Sequence, residues 1–142
     1  MMGLVAMAED RRKKLTPSEA RNLDIEIKFL AGLTRRDPEY VEALELLGEA
    51  YTRRGRYPEG LAVDLRLAAL KPDSALVHYN LACSYSLTDQ PEAAYEALNR
   101  AVDLGYRDFQ YLARDPDLAD FRRHPLYRKL QKRLRSLQEP VC

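Results

Sequence analysis

Three carboxylates, Asp115, Asp117 and Asp120, stand close enough in the chain to hold a cation or to divide acid and base roles between them. Pro116 changes that expectation. Asp115 in front of it is placed to accept from the free N–H groups of a helical turn, and Asp117 and Asp120 load the first turn, where the helix dipole favours negative charge. The histidines offer no better chemistry. His78 and Cys83 are five residues apart, about 140° around a helix, a poor arrangement for a thiol–imidazole pair within one helix. His78 reads as a packing residue, and His124, just before Pro125, as a helix-start residue. Gly55 to Gly60 matches the outer spacing of a phosphate loop, but Leu61 and Ala62 follow in place of Lys and Ser/Thr, and no strand leads into it. The expectation is a chain that is not an enzyme, with no metal site and no cofactor.

Residues that could bind rather than react are more regular. Glu42, Glu45 and Glu49 recur at i, i+3 and i+7, on one face of a helix and apart from the apolar set Leu44, Leu47 and Tyr51. Leu76, Tyr79, Asn80, Cys83 and Leu87 share a face on a later helical stretch, so that an acidic stripe adjoins an apolar one. Asn80 brings an amide that can both donate and accept. Near the C-terminus HPLYRKLQKRLRSL places Leu126, Leu130, Leu134 and Leu137 on one side, with Arg128, Lys129, Lys132, Arg133 and Arg135 around it.

Helices must position these residues. Of the eight prolines, Pro17, Pro38, Pro58, Pro91, Pro116 and Pro125 stand where a helix would begin, the position at which a missing N–H costs nothing, while Pro72 stops one. Thr16 with Glu19 forms a capping-box pattern, and Asp37 and Asp115 are candidate caps. Apolar residues recur at three and four, never at two. Helices are predicted near 17–35, 38–54, 58–70, 74–88 and 91–103, with short turns near 108–113 and 116–121 and a last helix over 125–137. The chain is all-α.

Bulk properties set the class. A chain of 142 residues, 46% apolar and 32% charged, suits one domain with one modest core. Cys83 and Cys142 are too few and too far apart for a disulfide framework, so a reducing, cytoplasmic setting is the default, and the excess of arginine over lysine hints at a GC-rich bacterial source. The opening MMGLVAMAED has a short apolar run with no basic residue before it and RRKK after it, the wrong order for a secretory signal. Charge is uneven: residues 1–36 carry +3, residues 37–120 carry −8 and residues 121–142 carry +6. An acidic middle lies between basic ends.

Setting residues 41–74 against 75–108 reveals a 34-residue repeat: Leu44 falls on His78, Leu47 on Leu81, Gly48 on Ala82, Tyr51 on Tyr85, Gly60 on Ala94 and Leu67 on Ala101. The chain here resembles the tetratricopeptide repeat (TPR) family, whose unit reads W-x2-L-G-x2-Y in its first helix, with small residues and a bulky one in its second and a closing proline. Leu44, Leu47, Gly48, Tyr51 and Pro72 carry the likeness in the first unit, and Leu81, Ala82, Tyr85, Ala94, Leu98 and Ala101 in the second. Asp64 departs from it, standing where a bulky apolar residue is expected. So do His78, in place of Trp, and Tyr106, in place of the closing proline.

The resemblance implies an antiparallel helix-pair solenoid with capping helices at both ends. It divides the chain into a basic tail over 1–15, a single domain over 16–137 and a tail over 138–142. Within the domain lie a half unit over 16–36, repeats over 41–74 and 75–108, and a truncated unit with a capping helix over 109–137. First helices of TPR units line a concave face on which peptides lie. The resemblance therefore implies a groove lined by Glu42, Glu45, Glu49, Leu76, Tyr79, Asn80, Cys83 and Leu87, and a partner that is another protein or peptide. Glutamates repel an acidic tail, so a basic or amphipathic segment is expected. The alternative is a homo-oligomeric scaffold whose basic ends engage the acidic face of another copy. Nucleic acid and a membrane surface are the less favoured partners, because no aromatic ladder accompanies the basic residues.

Overall fold

Thr16 and Glu19 close the capping box that their spacing predicts: the Glu19 N–H donates to Thr16 Oγ1 at 3.1 Å and the Thr16 N–H to Glu19 Oε1 at 3.0 Å. Helix α1, Pro17–Arg36, begins there in the computed structural model, which describes residues 14–138. The predicted tail over 1–15 and the basic run Arg11 to Lys13 thus lie mostly or wholly outside the described residues, as does Cys142.

Helix α2, Val41–Arg54, starts three residues later than Asp37-Pro38 suggests. The Tyr40 N–H donates to the Asp37 carbonyl at 3.2 Å, and the Asp37 carboxylate accepts from the Glu39 N–H at 3.4 Å. This pair therefore forms a tight turn rather than a cap. Helices α3, Tyr57–Leu70, α4, Ala75–Leu87, and α5, Pro91–Asp103, follow. The turns after α2 and α4 are built alike. Gly55 at φ 83° and Asp89 at φ 58° both adopt the left-handed conformation, and the next residue bonds back to the Tyr51 or Tyr85 carbonyl at 2.9 Å.

Each helix packs on the next, α1 through α5 in order, giving an all-α, TPR-like solenoid. The residues that define the repeat are its packing residues. Leu44, Ala82, Ala94 and Ala101 are completely buried, with Leu47 and Leu81 nearly so, while Tyr51 and Tyr85 are half-buried and Pro72 is exposed after α3. A Cβ on Gly48 would lie 3.4 Å from Val63 Cγ1 and 3.3 Å from Asp64 Oδ1, and one on Gly60 would lie 3.2 Å from Thr52 Oγ1 and 3.8 Å from the Gly48 carbonyl. These two glycines let α2 and α3 approach closely.

Helix α6, Phe109–Leu112, leads into a 3-10 turn, Pro116–Leu118, and α7, Ala119–Arg122, and the latter two fold back over α4. Helix α8, Leu126–Gln138, then packs on α5 and α7. Leu130 and Leu134 are buried there, and Leu137 stays 43% exposed. Arg133 donates to the Asn99 side chain at 2.7 Å and pairs with Asp103, holding α8 against α5. The C-terminal basic segment therefore closes the stack with its own leucines.

Candidate functional site

The inner face of the stack encloses a cavity of about 270 Å³. Helix α2 contributes Glu45, Gly48, Glu49 and Thr52, and α3 contributes Asp64 and Leu67. Helix α4 crosses the middle with Leu76, Tyr79, Asn80, Cys83 and Ser84, and the terminal unit closes the far side with Tyr106, Asp108, Tyr111, Asp115 and Asp117. Of the residues expected from the sequence, six line it: Glu45, Glu49, Leu76, Tyr79, Asn80 and Cys83. Glu42 is exposed and Leu87 half-buried, and both lie outside it. Glu42 stands in the first turn of α2 and Leu87 is the last residue of α4, so each sits at an end of its helix.

The lining side chains play unequal parts. Glu45, Glu49, Asn80 and Leu76 are exposed, Leu76 by 58%, and form the rim. Tyr79 and Cys83 are buried to 3% and 7% exposure, so they form the floor rather than a projecting contact surface. Tyr79 stacks on Tyr106 with ring centroids 4.4 Å apart and planes 12° apart. Its hydroxyl donates to Asp115 Oδ2 at 2.7 Å, the Cys83 thiol donates to the same oxygen at 3.7 Å, and the Asp117 N–H donates to Asp115 Oδ1 at 3.0 Å. Burial pushes the phenols of Tyr79 and Tyr106 well above the usual tyrosine range, so both keep their protons. Asp115 is thus both the cap of the 3-10 turn, as its place before Pro116 predicts, and part of the cavity wall.

Asp64 is differently placed. Its Oδ2 accepts from the Ser84 hydroxyl, and among the described residues no lysine or arginine pairs with it. Burial pushes its carboxyl up to about 6; the Ser84 hydrogen bond pulls the other way, and the charge of Glu49 adds to the rise. His78 takes no part in the cavity lining. It is half-buried and its Nε2 meets the Pro72 carbonyl at 2.9 Å, tying α4 to the turn before it.

Sequence reasoning missed Asp64, Asp115, Tyr106 and Tyr111 as lining residues. For two of them a signal existed: Asp64 broke the apolar pattern of its repeat, and Tyr106 replaced the closing proline. Six carboxylates, Glu45, Glu49, Asp64, Asp108, Asp115 and Asp117, belong to the lining, and its described residues include no lysine or arginine.

No family model matches the chain. It is 34% identical over 79 residues to a chloroplastic protein of Arabidopsis thaliana, a match covering 54% of this chain and 24% of that protein. It is 31% identical over 107 residues to the peroxisomal targeting signal receptor of Komagataella phaffii, covering 74% of this chain and 18% of the receptor. The receptor of Komagataella pastoris matches to the same extent. The chain spans a quarter or less of the length of these curated relatives. The receptor likeness and the all-helical stack support a TPR-like family, and none of the three relatives is named for a catalytic activity. Among the described residues no helix is long and apolar enough to cross a membrane, and no group of three or more His, Cys, Asp or Glu is arranged to hold a metal ion.

Proposed function

We propose that this chain acts by binding rather than catalysis, holding a basic or amphipathic segment of another protein in its concave groove, in a reducing, cytoplasmic setting. One observation carries the reading: the cavity is lined by six carboxylates, with no lysine or arginine among its described lining residues. Such a surface attracts cations and repels an acidic tail or a C-terminal carboxylate. Leu76 on the rim and the tyrosine floor add apolar area for the uncharged side of the segment. Likeness to a receptor for a targeting signal is in keeping with a binding role.

The scaffold alternative draws less support from the apolar side of the C-terminal helix. Its Leu130 and Leu134 are already buried within the chain and Arg133 is engaged by Asn99 and Asp103, which leaves Arg128, Lys129, Lys132 and Arg135 exposed on its outer side. Selection of peptides from a random display library against the folded protein tests the reading. Enriched sequences should carry lysine and arginine with interspersed leucine or aromatic residues. The Glu45→Lys/Glu49→Lys variant should bind them at least tenfold more weakly with thermal unfolding nearly unchanged. Enrichment of neutral or acidic sequences, or affinity indifferent to the charge reversal, would sink the reading.

A further inference from the structure

Asp64 is the residue that the repeat does not explain. One unit later its slot holds Leu98, which is completely buried, so an apolar side chain is what the packing of this position accepts. Asp64 is nearly as buried, at 9% exposure, yet brings a charge whose removal from water is costly unless a cation or several donors compensate it. One donor is present, the Ser84 hydroxyl on Oδ2, while Oδ1 accepts no hydrogen bond among the described residues. That oxygen is left open by its neighbour. A Cβ at Gly48 would stand 3.3 Å from Oδ1, and Gly48 and Asp64 both line the cavity. The contrast with Asp115 is instructive, because that carboxylate is satisfied internally by the Tyr79 hydroxyl, the Cys83 thiol and the Asp117 N–H.

We propose that Asp64 anchors a cationic side chain of the ligand, an arginine or lysine that enters the cavity beside Gly48 and supplies a counter-charge that no described lysine or arginine provides. The proposal rests on the groove-binding reading and names the residue that sets its specificity. A buried carboxylate with one free oxygen discriminates strongly for charge, because a neutral isostere entering the cavity leaves that charge uncompensated. The exposed glutamates of the rim act at higher effective dielectric and contribute attraction without comparable selectivity.

Three acetylated, amidated pentapeptides test this, Ala-Leu-X-Leu-Ala with X as arginine, lysine or the neutral arginine isostere citrulline. They are titrated into the isotope-labelled protein while amide shifts are followed by NMR. For the wild-type protein the arginine and lysine peptides should move Gly48, Asn80 and Ser84 and bind at least tenfold more tightly than the citrulline peptide. In Asp64→Asn the ratio should fall below about threefold, whereas Glu42→Gln, which removes an equal charge outside the cavity, should preserve it. Asp64→Leu installs the residue of the equivalent slot and gives the same test should the asparagine variant unfold. Discrimination that survives in both Asp64 variants, or groove binding indifferent to citrulline in the wild type, overturns the anchor and leaves the groove reading standing. Absence of any groove shift with all three peptides overturns both.

Discussion

The two complete helix pairs share a backbone plan and differ in how they fill it. In the first, Gly48 faces Val63 and Gly60 faces Thr52. At the equivalent positions of the second stand Ala82 with Ala97, and Ala94 with Ser86. Bulk has moved from one side of the helix contact to the other: where the first pair has glycine against a branched residue, the second has alanine at the matching position and a smaller partner. Gly48 is therefore one half of a matched pair of sizes, and not a flexible point. What is not compensated is the charge. Leu98 in the second pair has as its counterpart Asp64, a buried carboxylate facing the concave side.

This contrast can be broken most forcefully from the second pair. Leu98→Ala leaves a cavity at a site with no exposure and should cost about 2–5 kcal/mol of unfolding free energy, read by urea denaturation. The opposite sign is expected at the matching slot. Asp64 titrates near 6 in the folded chain against 3.8 for the ordinary carboxyl, so between those values the folded protein holds the extra proton. Its contribution is most favourable below the lower value and is lost as pH rises through the upper one, by roughly 2–3 kcal/mol for this group alone. Asp64→Leu should abolish that dependence and make the protein more stable than wild type at neutral pH. Denaturation curves at about pH 4, 5, 6 and 7 for both proteins check it, and a wild-type stability that rises over this window relative to the variant would contradict it. The smallest effect is at the turns, where Gly55 and Asp89 share the left-handed conformation. Asp89→Gly should raise stability by about 0.5–1 kcal/mol, measurable as a small shift of the denaturation midpoint.

Much of this molecule is legible in the chain because its units repeat. Spacing at three and four, prolines at helix starts and the 34-residue register place the helices to within a few residues, with Asp37-Pro38 the clearest exception: a proline with an acid before it serves a turn as well as a helix start. The rim of the cavity, Glu45, Glu49, Leu76 and Asn80, follows from one helix face each. Its floor does not, since Asp115 meets Tyr79 across 36 positions and Asp64 meets Ser84 across 20, contacts between units that no local periodicity encodes. Asp115 also shows how one local role conceals another. Its carboxylate caps a turn with one oxygen and receives the Tyr79 hydroxyl with the other.

The buried apolar residues form two clusters, one under α1 to α3 and one from Tyr79 to Leu134, and Ala68 packs against both. Beside Ala68, Leu61 of α3 packs against the second cluster and Val77 of α4 belongs to the first, so a narrow seam joins two cooperative units. In hydrogen-exchange terms, the amides of α1 and α2 should open in an event that leaves α5 and α8 protected. The groove draws its walls from both sides of that junction, so an occupant would clasp the two halves together and slow exchange in each of them at once.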